Sequence, residues 1–142
     1  MMLPTMVICD DEVDLVDELA EWFSLKGWTV RATFSAQTAL DLLMSESHTT
    51  CLVLDRQLPK TDSGEILRRI ANLPGSKRPD VVALITGDAD MEGAAPPLGV
   101  DLVFIKPVDL AEMSAAIAAH LAAAPPWRLR PPEMLRQPVH AL

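Results

Sequence analysis

The first 25 residues contain no Lys and no Arg, against seven acids: Asp10, Asp11, Glu12, Asp14, Asp17, Glu18 and Glu21. Over the whole chain 12 basic side chains are outnumbered by 20 acidic ones, a formal net charge of −8. Such a field repels nucleic-acid phosphates and anionic lipid, so neither nucleic acid nor a membrane is expected as a direct partner. A basic segment ahead of an apolar stretch is missing too, and no apolar run approaches the roughly 20 residues that span a bilayer. These absences point to a cytoplasmic chain. Cysteine is scarce: Cys9 and Cys51 stand singly inside "VIC" and "CLVL". Without the close pairing of a zinc site they read as small buried hydrophobes.

What is present is enough for one well-cored domain. The chain has 142 residues, 49% hydrophobic and 23% charged, a balance far from that of disordered segments. Five short apolar runs recur: "MVIC" (6–9), "TVRAT" (29–33), "CLVL" (51–54), "VVALI" (81–85) and "LVFI" (102–105). Four are continuously apolar, the pattern of parallel strands covered on both faces, whereas "TVRAT" alternates and reads as an edge strand.

Helical spacing fills most of the gaps. Leu15, Leu19, Trp22 and Phe23 form one stripe opposite Asp14, Asp17, Glu18 and Glu21, a solvated face, and Gly27 stops that helix. Ser35 caps a second helix carrying Ala39, Leu40, Leu42 and Leu43. Asp62 with Glu65, and Asp109 with Glu112, have the spacing of capping boxes. The fourth gap, "TGDADMEGAAPPLGVD", contains Gly93, Pro96, Pro97 and Gly99, so its helix is expected to be short or distorted. The alternation defines an α/β fold, an open parallel sheet with helices on both faces. Residues 1–124 form the expected domain. Residues 125–142, with five prolines and a net charge of +2, read as a Pro-rich tail or a truncated linker.

In such sheets ligands sit beyond the carboxyl ends of the strands. "MVIC" ends in Asp10 and Asp11, "CLVL" in Asp55, "VVALI" in Thr86 and "LVFI" in Lys106. Each residue alone has a structural reading, as a helix cap or a solvated end. Together they place three carboxylates, a hydroxyl and an ammonium at one edge, while "TVRAT" contributes nothing comparable. Three carboxylates crowded together repel and raise one another's pKa, and a hard divalent cation relieves them. The ammonium and hydroxyl suit an anion beside the metal, which makes the set an apparatus for phosphoryl transfer.

With these residues the chain resembles the receiver domain of two-component response regulators. The resemblance runs from residue 5 to about 123 and is carried by "ICDDE" (8–12), "LVLDRQLP" (52–59), "LITG" (84–87) and "FIKP" (104–107). It implies a flavodoxin-like doubly wound sheet of five parallel strands in the order 2-1-3-4-5. It implies Asp55 as phosphoacceptor, Asp10 and Asp11 as the acidic pair organising Mg2+ (or Mn2+), Asp11 more directly, and the Gln57 main-chain carbonyl as a further ligand. Thr86 becomes the switch hydroxyl and Lys106 the ion-pair partner. Gly87 keeps the pocket open, and Pro107 follows the Lys through a peptide bond that is usually cis in the family. Gln57 and Asp88, two residues after the acceptor and after the Thr, flank the expected water path and tune hydrolysis.

The same resemblance implies a phospho-accepting signalling module, not an enzyme, phosphorylated by a sensor histidine kinase or a histidine phosphotransfer protein, and a downstream protein partner is possible. The oligomeric state stays open. No helix-turn-helix or catalytic motif follows residue 124, so the receiver reads as stand-alone. Three departures stand out. Val103 occupies the usual switch-aromatic position, with Phe104 one residue out of register. "LPKTDSG" places Gly64 five residues after Pro59, one more than is common, so altered loop geometry is expected. The Pro-rich fourth crossover lies on the face that the family commonly uses for output. Glu12 is assigned to the loop or first helical turn and left out of the site. Two alternatives accompany this reading: a haloacid-dehalogenase-like phosphatase, whose D-x-D pattern and late acidic pair are absent, and a receiver acting mainly as a phosphorylation-insensitive docking module. A flavodoxin would need a phosphate loop where the acids stand.

Overall fold

A computed structural model describes residues 3–123; the expected tail at 125–142 lies outside the described residues. Strands β1 (Thr5–Cys9), β2 (Thr29–Thr33), β3 (Cys51–Asp55), β4 (Val81–Thr86) and β5 (Leu102–Ile105) alternate with helices α1 (Val13–Leu25), α2 (Ala36–Ser45), α3 (Ser63–Ala71) and α4 (Leu110–Ala123). All pairings are parallel, and the sheet order is β2-β1-β3-β4-β5. Among the described residues no helix is long and apolar enough to cross a membrane.

Two cores follow from the two-residue period of the strands. Val7 and Cys9 of β1 point to one face with Leu52, Leu54 and Leu84, where α2 supplies Leu40 and Leu43 and α3 supplies Ile66 and Ile70. Met6 and Ile8 point to the other, with Val53 and Ile85, under Val16, Leu19 and Phe23 of α1 and Met113 and Ile117 of α4. β1, β3 and β4 are thus covered on both sides, which is why their sequences are unbrokenly apolar. β5 is different. "LVFI" has the composition of an interior strand, yet it forms the second rim of the sheet and all four residues are only half-buried.

The helix ends show why these segments stop where they do. Gly27 takes φ +96, and its N–H reaches Ser24 O at 3.1 Å while Trp28 N–H reaches Phe23 O at 3.0 Å. The Phe23 and Trp28 rings meet edge to face, 6.0 Å apart, closing the hydrophobic contact that accompanies such a cap. Ser35 accepts from Thr38 N–H at 3.2 Å, as expected. Asp109 likewise accepts from Glu112 N–H at 3.0 Å. Asp62 departs from the capping-box reading, because its carboxylate turns to the nearer Gly64 N–H at 2.9 Å and not to Glu65.

The fourth crossover departs furthest. The expected short helix is reduced to a single 3-10 turn, Ala89–Met91, capped by Asp88, which accepts from Asp90 N–H at 3.0 Å. Gly93 and Gly99 follow with φ +74 and +86. Two left-handed glycines around a Pro-Pro pair cannot carry helical hydrogen bonds. Leu98 is left 98% exposed, while Val100 is buried in the core and Met91 packs against it half-buried.

Candidate functional site

The ladder registers bring the predicted residues to one edge. Asp55 is the last residue of β3 and pairs with Ile85, so Thr86 stands one step beyond it on the neighbouring strand. Asp10 directly follows β1 and is tied to the sheet through its N–H on Thr33 O at 3.2 Å. Lys106 directly follows β5, its N–H on Thr86 O at 2.8 Å. Backbone pairing, not side-chain attraction, therefore assembles the cluster. Asp10 and Thr86 are fully buried and Asp55 is 2% exposed. Asp11 faces solvent at the mouth. One carboxylate oxygen from each of Asp10, Asp11 and Asp55 lies within 4.8 Å of the others.

Lys106 is the hub of the charges. Its Nζ lies 3.3 Å from Asp10 Oδ2, 3.4 Å from Glu12 Oε1 and 3.5 Å from Asp55 Oδ2. Burial opposes its charge, but Asp10, Asp55 and Glu12 outweigh burial and hold its pKa above the ordinary lysine value. Asp10 experiences the converse. Burial first, and the Asp55 charge after it, push its carboxyl up to about 6, although the Glu12 N–H at 2.9 Å and Lys106 both favour the anion. Asp10 Oδ2 meets the Lys106 ammonium as an ion pair without well-aligned hydrogen-bond geometry. A buried carboxylate oxygen whose ion-pair partner is the Lys106 ammonium at 3.3 Å, beside two more carboxylates, belongs to a donor set that a hard divalent cation fits.

The loops after β3 and β4 are clasped together. Gln57 N–H donates to Asp55 Oδ1 at 2.9 Å, while its side-chain Oε1 accepts from Gly87 N–H at 3.0 Å. Arg56 Nη1 donates to Asp88 Oδ2 at 3.3 Å. Asp88 N–H donates to Thr86 Oγ1 at 3.0 Å, fixing the hydroxyl. Gln57 and Asp88 therefore touch the residues they follow, at the positions expected to flank the site. In the longer loop, Lys60 takes φ 56. The Lys106–Pro107 peptide is cis, as the resemblance implies.

Two side chains inside the quoted motifs make contacts that the sequence reading did not assign. Glu12, left out of the site from the sequence, is the N-cap residue of α1 and turns its carboxylate to Lys106. Its only sequence signal was its place two residues after Asp10, where a helix starts at the same sheet edge. Arg56 was not singled out at all, and its pairing with Asp88 depends on two loops meeting. Val103, at the usual aromatic position, packs with the α2/α3 core, and Phe104 packs on the opposite face, so the aromatic ring does not replace it.

A strand-end cluster of three carboxylates, a hydroxyl and an ammonium on this sheet order is the arrangement that the resemblance to a receiver domain implies. The sequence matches the response regulator receiver domain family over residues 6–118, and the chain belongs to that family. The haloacid-dehalogenase alternative gives way to this membership. No curated protein matches the chain. Among solved structures, the chain is similar to the signal receiver domain of an HD domain-containing protein from Pseudomonas fluorescens Pf-5. The two share 25% identity with a TM-score of 0.71, over 85% of this chain and 96% of that one. It shares the fold of a two-component response regulator from Clostridium difficile, at 20% identity and TM-score 0.73, over 84% and 97% of the chains. It also shares the fold of the response regulator TrrA from Thermotoga maritima in complex with Mg(2+)-BeF, at 18% identity and TM-score 0.69, over 83% and 99%.

Proposed function

We propose that this receiver accepts a phosphoryl group on Asp55 from a phosphohistidine of a sensor kinase or phosphotransfer protein. The P–N bond to the donor imidazole breaks as a P–O bond forms to an Asp55 carboxylate oxygen. The observation that carries this reading is the convergence of Asp10, Asp11 and Asp55 with Lys106 at 3.5 Å from the acceptor. Asp10, Asp11, Asp55 and the Gln57 carbonyl would hold Mg2+ or Mn2+, which supplies charge neutralisation for the incoming phosphoryl oxygens. Lys106 offers a cation to one of those oxygens, and Thr86 offers a hydroxyl once it leaves the Asp88 N–H. Gln57 and Asp88 flank the path of the hydrolytic water and set the lifetime of the acyl phosphate.

Residues 1–124 are read as the signalling domain, cytoplasmic, acting on protein partners and not on nucleic acid or membrane. Incubation with Mg2+ and a small phosphodonor, followed by intact mass, tests the assignment. One added phosphate is expected in the wild type and none in Asp55→Asn. An adduct that survives that substitution, or no adduct in either protein, would overturn it.

A further inference from the structure

The fourth crossover leaves the rim of β5 uncovered. β5 pairs with β4 alone, and Lys106 N–H donates to Thr86 O across that ladder. Successive residues of a strand turn their amides to opposite sides, so the N–H and C=O groups of Val103 and Ile105 face the open edge. A cavity of about 400 Å3 runs along this edge, walled by the crossover loop on one side and the first turn of α4 on the other. The charged residues that line it are all acidic: Glu92, Asp101, Asp109 and Glu112. Asp101 already accepts from Val82 N–H at 2.8 Å and Asp109 from Glu112 N–H. Glu92 and Glu112 are exposed and free to take a cation.

We propose that this groove is the docking site of the chain's own segment 127–136, with Arg128, Arg130 and Arg136 against Glu92 and Glu112 and Trp127 over the apolar edge of β5. Charge complementarity is direct: residues 125–142 carry +2 in a chain of −8. The segment also starts in the right place. His120, in the last turn of α4, lies 3.6 Å from Asp101 at the lower end of the groove. From Ala123 an extended chain reaches Arg128 within about 17 Å and Arg130 within about 23 Å, against about 16 Å back along α4 to Glu112. A tether this short gives an effective concentration on the order of millimolar, so exposed charge pairs that are weak singly are sufficient.

Topology fixes the manner of contact. α4 shares its face of the sheet with α1, so a parallel strand laid outside β5 directly after α4 would close a left-handed crossover. The segment is therefore held by side chains and not by ladder pairing. Pro125, Pro126, Pro131 and Pro132, which lack N–H groups, agree with that.

The test uses the full chain with Gln137→Cys carrying a spin label. Cys9 and Cys51 are fully buried, so the label goes to the new thiol, and the amide spectrum itself reports that the fold is retained. Paramagnetic broadening is expected at Glu92, Val103 and Glu112. It should fall several-fold in Arg128→Glu/Arg130→Glu and return when Glu92→Arg/Glu112→Arg is added. Broadening centred on the acidic face of α1, or indifferent to charge reversal, overturns the proposal. Broadening that depends on protein concentration overturns it as well, by making a second copy's tail the occupant. None of these outcomes depends on whether Asp55 accepts phosphate.

Discussion

Replacing Asp10 by Asn is expected to stabilise the metal-free protein. Asp10 is fully buried, and its carboxyl is raised from 3.8 to about 6, chiefly by burial and then by Asp55. A raised carboxyl pKa means that the folded state holds its proton more tightly than the unfolded chain. Stability from this group is therefore fullest below about pH 4 and falls as pH rises to about 6, with a constant penalty above that. At about 1.4 kcal/mol per pH unit, the penalty at neutral pH is roughly 3 kcal/mol. Asn preserves the Oδ1 acceptor for Glu12 N–H and removes the charge. Lys106 loses one partner but keeps Asp55 and Glu12. The Asn amide NH2 then faces the Lys106 ammonium where Oδ2 stood, a buried unpaired donor that costs about 1–2 kcal/mol, so the net gain is roughly 1–2 kcal/mol, on the order of 5 °C in Tm for a domain of this size.

Urea or thermal unfolding in EDTA at about pH 7.5 and again at about pH 4 measures this, since the gain belongs to a group titrating between those values. Mg2+ supplies the second axis: it should raise the midpoint of the wild type and much less that of the variant, because only the wild type retains the full carboxylate set. The reasoning is refuted if Asp10→Asn is no more stable than wild type in EDTA, or if its advantage is the same at both pH values.

Gln57→Ala removes the acceptor for Gly87 N–H; a measurably changed rate of phosphate release from the acyl phosphate is expected, with the unfolding midpoint moved by about 1 kcal/mol or less. Asp88→Asn, which weakens the Arg56 contact, should act in the same assay. His48 sits between Asp80 Oδ2 at 2.9 Å and Ser76 O at 3.3 Å, and the Asp80 hydrogen bond raises its pKa over the opposing effects of burial and Lys77. Stability from this pair is present below about pH 6.5 and is lost as pH rises through the folded-state pKa, so Asp80→Asn should flatten that part of the stability profile. Burial pushes Cys9 up to about 12 and Cys51 further, so a thiol reagent near neutral pH should modify them only as fast as the chain unfolds; prompt labelling would contradict the packing.

The fold was legible because every interior strand carries its burial in its composition, and the strand-end polar residues break those runs at the edge where ligands bind. Asp10, Asp55, Thr86 and Lys106 are therefore readable as a set from the sequence alone. Position in the sheet was less legible for β5: four apolar residues describe a strand, and only the missing neighbour makes it a rim. Hydrogen bonds that close across loops were invisible for a similar reason. The Gln57–Gly87 and Arg56–Asp88 contacts join residues some thirty positions apart whose meeting depends on the β3–β4 register. Glu12 lies at the start of α1 as the sequence placed it, but its contact with Lys106 was not legible, since a cap position fixes a side chain's direction only once the preceding turn is known.

The acids at the site are held together at a cost, and the ladders supply the means. Asp10 and Asp55 are anchored through β1 and β3, whose side chains are among the most completely buried in the protein, so their mutual repulsion cannot be relieved by drifting apart. A cation bound between them would relieve it instead, and a ligand that removes a standing penalty gains that penalty in affinity. Thr86 is anchored as they are, on the fully buried β4, whereas Lys106 follows the half-buried rim strand β5, where less packing resists a shift. The rigid pair therefore suits holding a cation, and Lys106 suits following an anion. Pro107, next to Lys106, lines the acidic groove along β5. Site and groove thus meet through one peptide bond, the shortest physical connection between charge at the strand ends and the surface left open by the helix-free crossover.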